Sequence, residues 1–132
     1  MNRYMAERDE LIRDFHITIE EVSTEHSRVT MPLQDGVRNA SKAAHGGSIF
    51  TLADVAFGCA ANFESPTMVV SLNASIEYLR PGLVGPLSAE AHLLHAGKNL
   101  MRYEVHVKDG NGAVIAQMLT TGARTKITRP DL

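Results

Sequence analysis

The sequence lacks the features that mark several classes of protein. Its single cysteine, Cys59, excludes an internal disulfide, so we expect a reducing, cytoplasmic compartment. No apolar run reaches the ~18 residues of a membrane-spanning helix, and the N-terminal segment MNRYMAERDE is too charged for a signal peptide. Lysine and arginine do not cluster, and the formal net charge is -2, which argues against binding to nucleic acid. The predicted partners therefore include neither a membrane nor a nucleic acid.

Motifs of several enzyme classes are missing as well. The sequence has no G-x-S-x-G nucleophile elbow, no P-loop and no dinucleotide-binding fingerprint. Its 6 histidines are scattered, without an H-E-x-x-H run or paired cysteines. His92 and His95 lie three residues apart in a predicted strand, so they are expected on opposite faces of that strand. The sequence therefore predicts no metal site.

The length and composition suit one domain. With 132 residues, of which 44% are hydrophobic and 21% charged, the chain can bury one core. It contains no repeat, linker or low-complexity tract, so residues 1–132 are predicted to form a single domain. Good helix formers with a thin apolar stripe predict one helix over residues 4–15, so residues 1–14 are expected to form a helical extension of the domain.

The rest of the chain is organised around residues 39–62, which read NASKAAHGGSIFTLADVAFGCAAN. After Gly46 and Gly47, apolar residues recur three and four positions apart, and this spacing predicts a helix. The helix is expected to end near Asn62, because a Ser-Pro pair follows at residues 65–66.

Two features of this helix point to chemistry. Asp54 lies between Phe50 and Phe57 on the predicted helix, where a carboxylate should be partly desolvated. This is an unfavourable position for a carboxylate unless it has a function. An ion pair with a lysine or arginine elsewhere is the structural alternative. The helix begins at glycines, so the N–H of Gly46 is open to an oxyanion or a polarised carbonyl.

The spacing of these two features decides how they can act. Gly46 and Asp54 are eight residues apart, which is ~12 Å along a helix, whereas acid–base chemistry requires groups within ~3 Å of the reacting atoms. Either the two features are unrelated, or two antiparallel copies of the helix meet, so that Asp54 of one chain faces Gly46 of the other. The second alternative predicts a homodimer with two equivalent sites.

Alternating apolar and polar residues predict strands on both sides of the helix. A hairpin precedes the helix and a meander of antiparallel strands follows it, and one sheet wrapped around the helix accounts for both without a crossing of the chain. The predicted fold class is therefore α+β. The predicted strands cover residues 16–21, 26–31, 67–79, 87–96, 100–108 and 113–127.

One motif resembles that of a known enzyme family. Its residues are Asn39, His45, Gly46, Gly47 and Asp54, followed by Ser71 in a strand and then by Tyr78, Leu79, Arg80, Pro81 and Gly82. This H-G-G-x6-D spacing with a downstream L-R-P-G resembles the hotdog-fold acyl-CoA thioesterases, and within them the phenylacetic-acid-degradation (PaaI-type) group, over about residues 15–126. The resemblance implies a long central helix in an antiparallel sheet, dimers whose sheets join, and dimers of dimers, that is, a homotetramer.

The resemblance also implies roles for individual residues. Asp54 would act as general base or as nucleophile, while the Gly46 N–H of the partner subunit would polarise the thioester carbonyl. Asn39 and His45 would stand beside that carbonyl, and Ser71 would help to hold the attacking water. From the residues alone, Asn39 could instead cap a turn and Ser71 could be a packed hydroxyl.

Substrate binding is predicted for Gly47, Arg80, Pro81 and Gly82. The last three could lie along the pantetheine or phosphates of coenzyme A, or they could serve only to terminate a strand. Because coenzyme A is part of the substrate, no separate cofactor is expected. The resemblance favours an aryl- or medium-chain acyl group. The family often has glycine three residues after the asparagine, where this chain has Lys42.

Two other functions remain open at this point. An acyl-thioester hydratase or dehydratase usually requires a histidine paired with an acidic residue, and hydration without thioester cleavage would identify it. A non-catalytic acyl-CoA-binding protein would keep the fold, bind its ligand equally well in an Asp54→Asn variant, and release no free thiol.

Overall fold

The computed structural model describes residues 3–129, with side chains described from residue 5 onwards. The predicted domain, residues 1–132, therefore extends beyond the described part of the chain at both ends. Within residues 3–129, no helix is long and apolar enough to cross a membrane.

The central helix and all six predicted strands are confirmed, with bounds that differ from the prediction by at most two residues. In chain order the elements are α1 (Arg3–Arg8), α2 (Glu10–Asp14), β1 (Thr18–Val22), β2 (His26–Met31), α3 (Gly46–Ala61), β3 (Thr67–Tyr78), β4 (Leu87–Ala96), β5 (Leu100–Lys108) and β6 (Val114–Thr128).

The prediction of one N-terminal helix over residues 4–15 is wrong, because the segment folds as two short helices separated at Asp9. Asp9 has an extended backbone and caps α2, with its Oδ1 accepting a hydrogen bond from the Ile12 N–H at 3.1 Å. An aspartate side chain competes with the backbone carbonyls for such an N–H and so favours the start of a new helix.

The sheet has six antiparallel strands in the order β1-β2-β4-β5-β6-β3. The predicted meander holds for β4, β5 and β6, but the prediction that the chain never crosses is wrong, because β3 pairs with β6 and not with β4. β3 and β6 are 12 and 15 residues long, against 10 and 9 for β4 and β5. Pairing the two longest strands satisfies more backbone groups than the meander would.

α3 lies in the hollow of this sheet and forms the centre of the core. Its side chains Leu52, Ala53, Ala56 and Ala60 are fully buried. Gly122 on β6 allows a close approach of the sheet to α3, since a Cβ there would lie 2.7 Å from Cζ of Phe57. The sheet therefore wraps around one helix, which is the arrangement that the resemblance implies.

The C-terminal end of α3 is tied to β3 by Asn62, which caps the helix. Asn62 Nδ2 donates to the carbonyl oxygens of Gly58 at 3.0 Å and Val69 at 3.1 Å, and Asn62 Oδ1 accepts from the Val69 N–H at 2.8 Å. These three hydrogen bonds set the position of the first half of β3 relative to the helix.

Candidate active site

The N-terminus of α3 is capped by His45. Its Nδ1 accepts a hydrogen bond from the Gly47 N–H at 3.0 Å, and its own backbone N–H donates to the Val37 carbonyl oxygen at 2.9 Å. Among residues 3–129, no acceptor is found for the Gly46 N–H. The Gly47 N–H is therefore taken up by the cap, whereas the Gly46 N–H stays open. It lies at the N-terminal end of a helix, which favours a negatively charged oxygen.

Asn39 shapes the loop that leads to this helix end. Its Oδ1 accepts hydrogen bonds from the backbone N–H groups of Ser41 at 2.9 Å and Ala43 at 3.2 Å, so the turn-capping alternative is present in the structure. Lys42 adopts φ 64°, the left-handed conformation that glycine accepts most readily. The loop therefore forms with lysine at the position where the family often has glycine, and the Nδ2 group of Asn39 remains as a donor.

A cleft of about 390 Å³ lies beside this loop, and we call it the Gly46 groove. It brings together seven residues of the sequence motif, because Asn39 and Gly46 lie on one side, and the end of β3 with the four residues that follow it lies on the other. The residues lining the groove are Asn39, Ala43, Ala44, Gly46, Ile49, Tyr78, Leu79, Arg80, Pro81 and Gly82.

The two sides of the Gly46 groove are joined by hydrogen bonds. The Ala44 N–H donates to the Gly82 carbonyl oxygen at 2.8 Å, and the Tyr78 hydroxyl donates to the Gly46 carbonyl oxygen at 3.0 Å. A Cβ on Gly82 would lie 3.0 Å from Cδ1 of Ile115, so a glycine permits this close approach. The contact of Tyr78 with Gly46 was not predicted, since the motif placed the tyrosine only as part of a strand end.

A second cleft, of about 270 Å³, surrounds Asp54, and we call it the Asp54 pocket. Burial raises the pKa of the Asp54 carboxyl above its ordinary value, and the nearby Asp9 carboxylate raises it further. The predicted desolvation of Asp54 is therefore confirmed. Among the side chains of residues 5–129, no hydrogen bond or ion pair to the Asp54 carboxylate is found, which counts against the ion-pair alternative there.

The Asp54 pocket combines α1, α3 and β3. Ser71 lies in it, with its Oγ 3.3 Å from Oγ1 of Thr120, so the serine shares a cleft with Asp54 as the motif predicts. The residues lining the pocket are Met5, Asp9, Asp54, Phe57, Gly58, Asn62, Met68, Val69, Val70, Ser71 and Arg129.

Met5 and Asp9 were not predicted as parts of the site. Met5 covers the turn of α3 that follows Asp54, since a Cβ on Gly58 would lie 3.2 Å from Cε of Met5. The N-terminal helix was recognised as an element, but its thin apolar stripe does not indicate what it packs against. No sequence signal short of the tertiary contact would have placed these two residues beside Asp54.

Among the described residues, the Gly46 groove and the Asp54 pocket share no lining residue. They lie toward opposite ends of α3, in agreement with the ~12 Å that eight helical residues span. Gly47 and His45 belong to the helix cap rather than to either cleft. Within one chain, the open N–H and the desolvated carboxylate therefore cannot act on the same bond.

The histidines are less scattered in space than in sequence. A register shift between Leu93 and His95 places an extra residue in β4, so His92 pairs with Glu104 and His95 with Arg102 on the same outer face. The prediction that His92 and His95 point to opposite faces is therefore wrong. The same face brings His26, Glu90 and His92 together, a grouping that the spacing along the chain does not reveal.

Comparison with known proteins agrees with this geometry. The thioesterase superfamily profile matches residues 42–116. The acyl-coenzyme A thioesterase PaaI of Escherichia coli K12 is 32% identical over 113 residues, which cover 85% of this chain and 80% of that protein. The solved structure of the E. coli PaaI protein from the phenylacetic acid degradation operon has a TM-score of 0.87 at 29% identity, covering 94% of this chain and 90% of that chain.

A solved thioesterase variant of Staphylococcus aureus supports the fold alone. Its sequence is 22% identical, with a TM-score of 0.82 over 86% of this chain and 97% of that chain. The profile match, the PaaI relative and the wrapped helix agree. The chain belongs to the thioesterase superfamily, within the hotdog-fold family that includes PaaI, and it is a thioester hydrolase.

Proposed function

We propose that the protein hydrolyses acyl-CoA thioesters at two equivalent sites, each shared between the two chains of a homodimer. The observation that carries the proposal is the placement of Asp54 and the open Gly46 N–H in separate clefts of one chain. The E. coli relative is named as an acyl-coenzyme A thioesterase, which supports the substrate class.

The path of β3 supports this sharing. Ser71 on β3 lies in the Asp54 pocket, whereas Tyr78 near the other end of β3 lies in the Gly46 groove. β3 is an edge strand, and its residues Val70 and Leu72 are 40% and 62% exposed. An exposed apolar edge favours pairing with a second strand. Antiparallel pairing of two β3 strands would bring the Asp54 end of one chain to the Gly46 end of the other.

In the proposed reaction, the Asp54 carboxylate takes a proton from a water molecule and the resulting hydroxide attacks the thioester carbonyl carbon. The Gly46 N–H of the second chain stabilises the oxyanion, an interaction typically worth ~2.7–4 kcal/mol. The carbon–sulfur bond then breaks, and coenzyme A leaves as a thiolate that takes the proton held by Asp54, which restores the carboxylate. The raised pKa of Asp54 supports the role of a base, because it makes the carboxylate a better proton acceptor. Direct attack by Asp54 as a nucleophile is the other route to the same products.

The remaining motif residues are proposed to position these groups. Ser71 Oγ holds the water beside Asp54, and Asn39 Nδ2 donates to the substrate beside Gly46. His45 acts as a positioning residue, because its ring holds the Gly47 N–H and so sets the direction of the Gly46 N–H.

The Gly46 groove is proposed to receive coenzyme A. Arg80, Pro81 and Gly82 line it, and the exposed Arg80 guanidinium provides positive charge for phosphate groups. The Asp54 pocket, lined by Met5, Phe57 and other apolar side chains, suits an aryl or medium-chain acyl group. From the family resemblance we also propose that the protein forms a dimer of dimers. From its single, buried cysteine we propose a cytoplasmic location.

The test is a hydrolysis screen with aryl-, short- and medium-chain acyl-CoAs, run on the wild type and on Asp54→Asn. Release of free thiol should occur with the wild type and fall by roughly 10²- to 10⁴-fold in Asp54→Asn. Asp14→Asn, at an exposed position on α2, is the matched control and should keep full activity. If Asp54→Asn hydrolyses thioesters at the wild-type rate, Asp54 has no part in the chemistry.

A further inference from the structure

Three ligand-type side chains meet on the outer face of the sheet, away from both clefts. His26 on β2 is the direct cross-strand partner of His92 on β4, and Glu90 precedes His92 by two residues on the same face. Ala89 and Ala91, which alternate with them along β4, are fully buried on the face toward α3. The side chains of Glu90 and His92 therefore point away from the helix and from the thioester site.

The two imidazoles converge on one carboxylate oxygen. Glu90 Oε2 lies 3.5 Å from Nε2 of His26 and 3.7 Å from Nε2 of His92. One ligand atom from each of the three residues lies within 4.8 Å of the others, and the centroids of the two rings are 5.0 Å apart. Ligand atoms ~2.0–2.2 Å from a tetrahedral zinc ion are ~3.3–3.6 Å from one another, so small side-chain rotations suffice to coordinate an ion.

We propose that His26, Glu90 and His92 bind a divalent transition-metal ion of the Zn²⁺ class. Two imidazole nitrogens and one carboxylate oxygen form a common ligand set for such ions, and three protein ligands leave a position for water. All three side chains are partly exposed, which gives an ion in solution access to them. The site is separate from the thioesterase chemistry and does not depend on it.

The surroundings of the three ligands are consistent with this assignment. Glu21 Oε2 lies 3.7 Å from Nδ1 of His26, the ring nitrogen that does not face Glu90, in the position of an outer carboxylate that orients a metal-binding histidine. Lys108 Nζ lies 4.0 Å from Oε1 of Glu90, which leaves Oε2 toward the histidines. His106 is paired with Glu104 at 2.9 Å and is therefore not counted as a ligand.

A metal ion here would join β2 to β4. These strands connect the N-terminal hairpin to the rest of the sheet, because β1 pairs only with β2 among the described strands. An ion that binds the folded chain and not the unfolded chain stabilises the fold, and the stabilisation grows with the ratio of the free ion concentration to the Kd. Zn²⁺ should therefore raise the melting temperature of the protein as well as bind to it.

The experiment titrates tag-free, full-length protein with Zn²⁺ by isothermal calorimetry and with Co²⁺ by visible absorption. The expected result is one ion per chain, with the d–d bands of a four-coordinate Co²⁺ site that lacks thiolate. His26→Asn and His92→Asn should each weaken Zn²⁺ binding by more than ~100-fold, the upper end of what loss of an outer-shell partner costs. His95→Asn, an exposed histidine on the same strand and face, is the matched control and should bind Zn²⁺ as the wild type does.

The alternative is a histidine–glutamate patch that is held together without a metal. It predicts no saturable Zn²⁺ binding, or binding that is equally tight in His26→Asn, His92→Asn and the wild type, and either result overturns the proposal. Circular dichroism of each variant confirms folding. Glu90→Gln, which keeps the shape of the side chain and removes its charge, gives a second variant that should lose binding in the same way.

Discussion

At the residue scale, the proposed chemistry depends on a carboxylate that the fold holds partly out of water. Asp54 lies on α3 beside Phe57 and Gly58, in a cleft that Met5 and Asp9 help to close. Burial disfavours its charged form, and the Asp9 carboxylate adds to that effect. Holding the Asp54 carboxylate ionised in this cleft lowers the free energy of unfolding, and this loss can be measured.

We expect Asp54→Asn to be more stable than the wild type at pH 7. Because the pKa of Asp54 is raised on folding, the folded chain binds its proton more tightly than the unfolded chain does, and ionisation destabilises the fold above the unfolded pKa. The gain in the free energy of unfolding, measured with urea, should therefore shrink as the pH falls through the raised pKa of Asp54 toward the ordinary carboxyl range, and it should be absent below that range. A variant that is less stable than the wild type at pH 7 would contradict this account, and Asp14→Asn again serves as the control.

The Gly46 N–H can be removed without removing its helix. Gly46 is the first residue of α3, where proline fits best, and His45 before it has φ -66° and ψ 140°, as a residue before proline requires. Gly46→Pro should fold and lose roughly 10²- to 10³-fold in kcat, the usual loss for one oxyanion donor. Gly46→Ala keeps the N–H and adds a Cβ at 3.4 Å from the Tyr78 ring, so it controls for the added bulk.

Equal losses of activity in the proline and alanine variants would assign the effect to crowding against Tyr78 rather than to the N–H. Full activity of Gly46→Pro in steady-state assays would remove this amide from the mechanism. Melting temperatures of both variants should lie close to that of the wild type, because proline at the first helical position leaves the hydrogen bonds of the helix intact.

At the scale of elements, the N-terminal helices have a functional position that their sequence does not reveal. α1 contributes Met5, and the break before α2 contributes Asp9, to the pocket that contains Asp54. The segment from α1 to the start of α2 therefore shapes the pocket proposed for the acyl group. β3 serves both clefts in a comparable way, through Ser71 and Tyr78.

Met5→Ala is expected to change the preference of the enzyme among acyl groups. Shortening this side chain enlarges the Asp54 pocket, so kcat/KM for bulky aryl and longer acyl-CoAs should rise relative to short-chain substrates, by about 10-fold, a typical effect of one or two methylene groups. Leu11→Ala is the control, because Leu11 belongs to the same N-terminal segment, is 50% exposed and does not line the pocket. An unchanged ratio of kcat/KM values would place the acyl group elsewhere.

At the scale of the whole molecule, the proposed site is complete only in an assembly. A single chain presents a carboxylate in one cleft and an open N–H in another, and within residues 3–129 no strand pairs with the outer edge of β3. Both features are accounted for together by a dimer in which the two β3 strands pair.

Mixed dimers test this arrangement. Co-refolding Asp54→Asn chains with Gly46→Pro chains should restore about one quarter of the wild-type activity, because half of randomly formed dimers are mixed and each has one intact site of two. Each variant alone should stay inactive, and the dimer should be verified by sedimentation. If verified mixed dimers show no recovery, each site lies within one chain and the shared-site mechanism fails.

Much of this molecule followed from local pattern. The period of the apolar residues identified α3 and all six strands, because a helix or strand buried on one face must repeat at 3.6 or 2 residues. The distance between Gly46 and Asp54 was also set by the sequence, since the rise of a helix is constant. The H-G-G-x6-D motif was enough to suggest the family.

Other features were decided only by the tertiary structure. The pairing of β3 with β6, the bulge in β4, the placement of Met5 and Asp9 beside Asp54, and the meeting of His26, Glu90 and His92 all join residues that are distant along the chain or depend on strand register. Local periodicity indicates which face of an element is buried, but not which element covers it, because that choice is made by the packing of the whole chain.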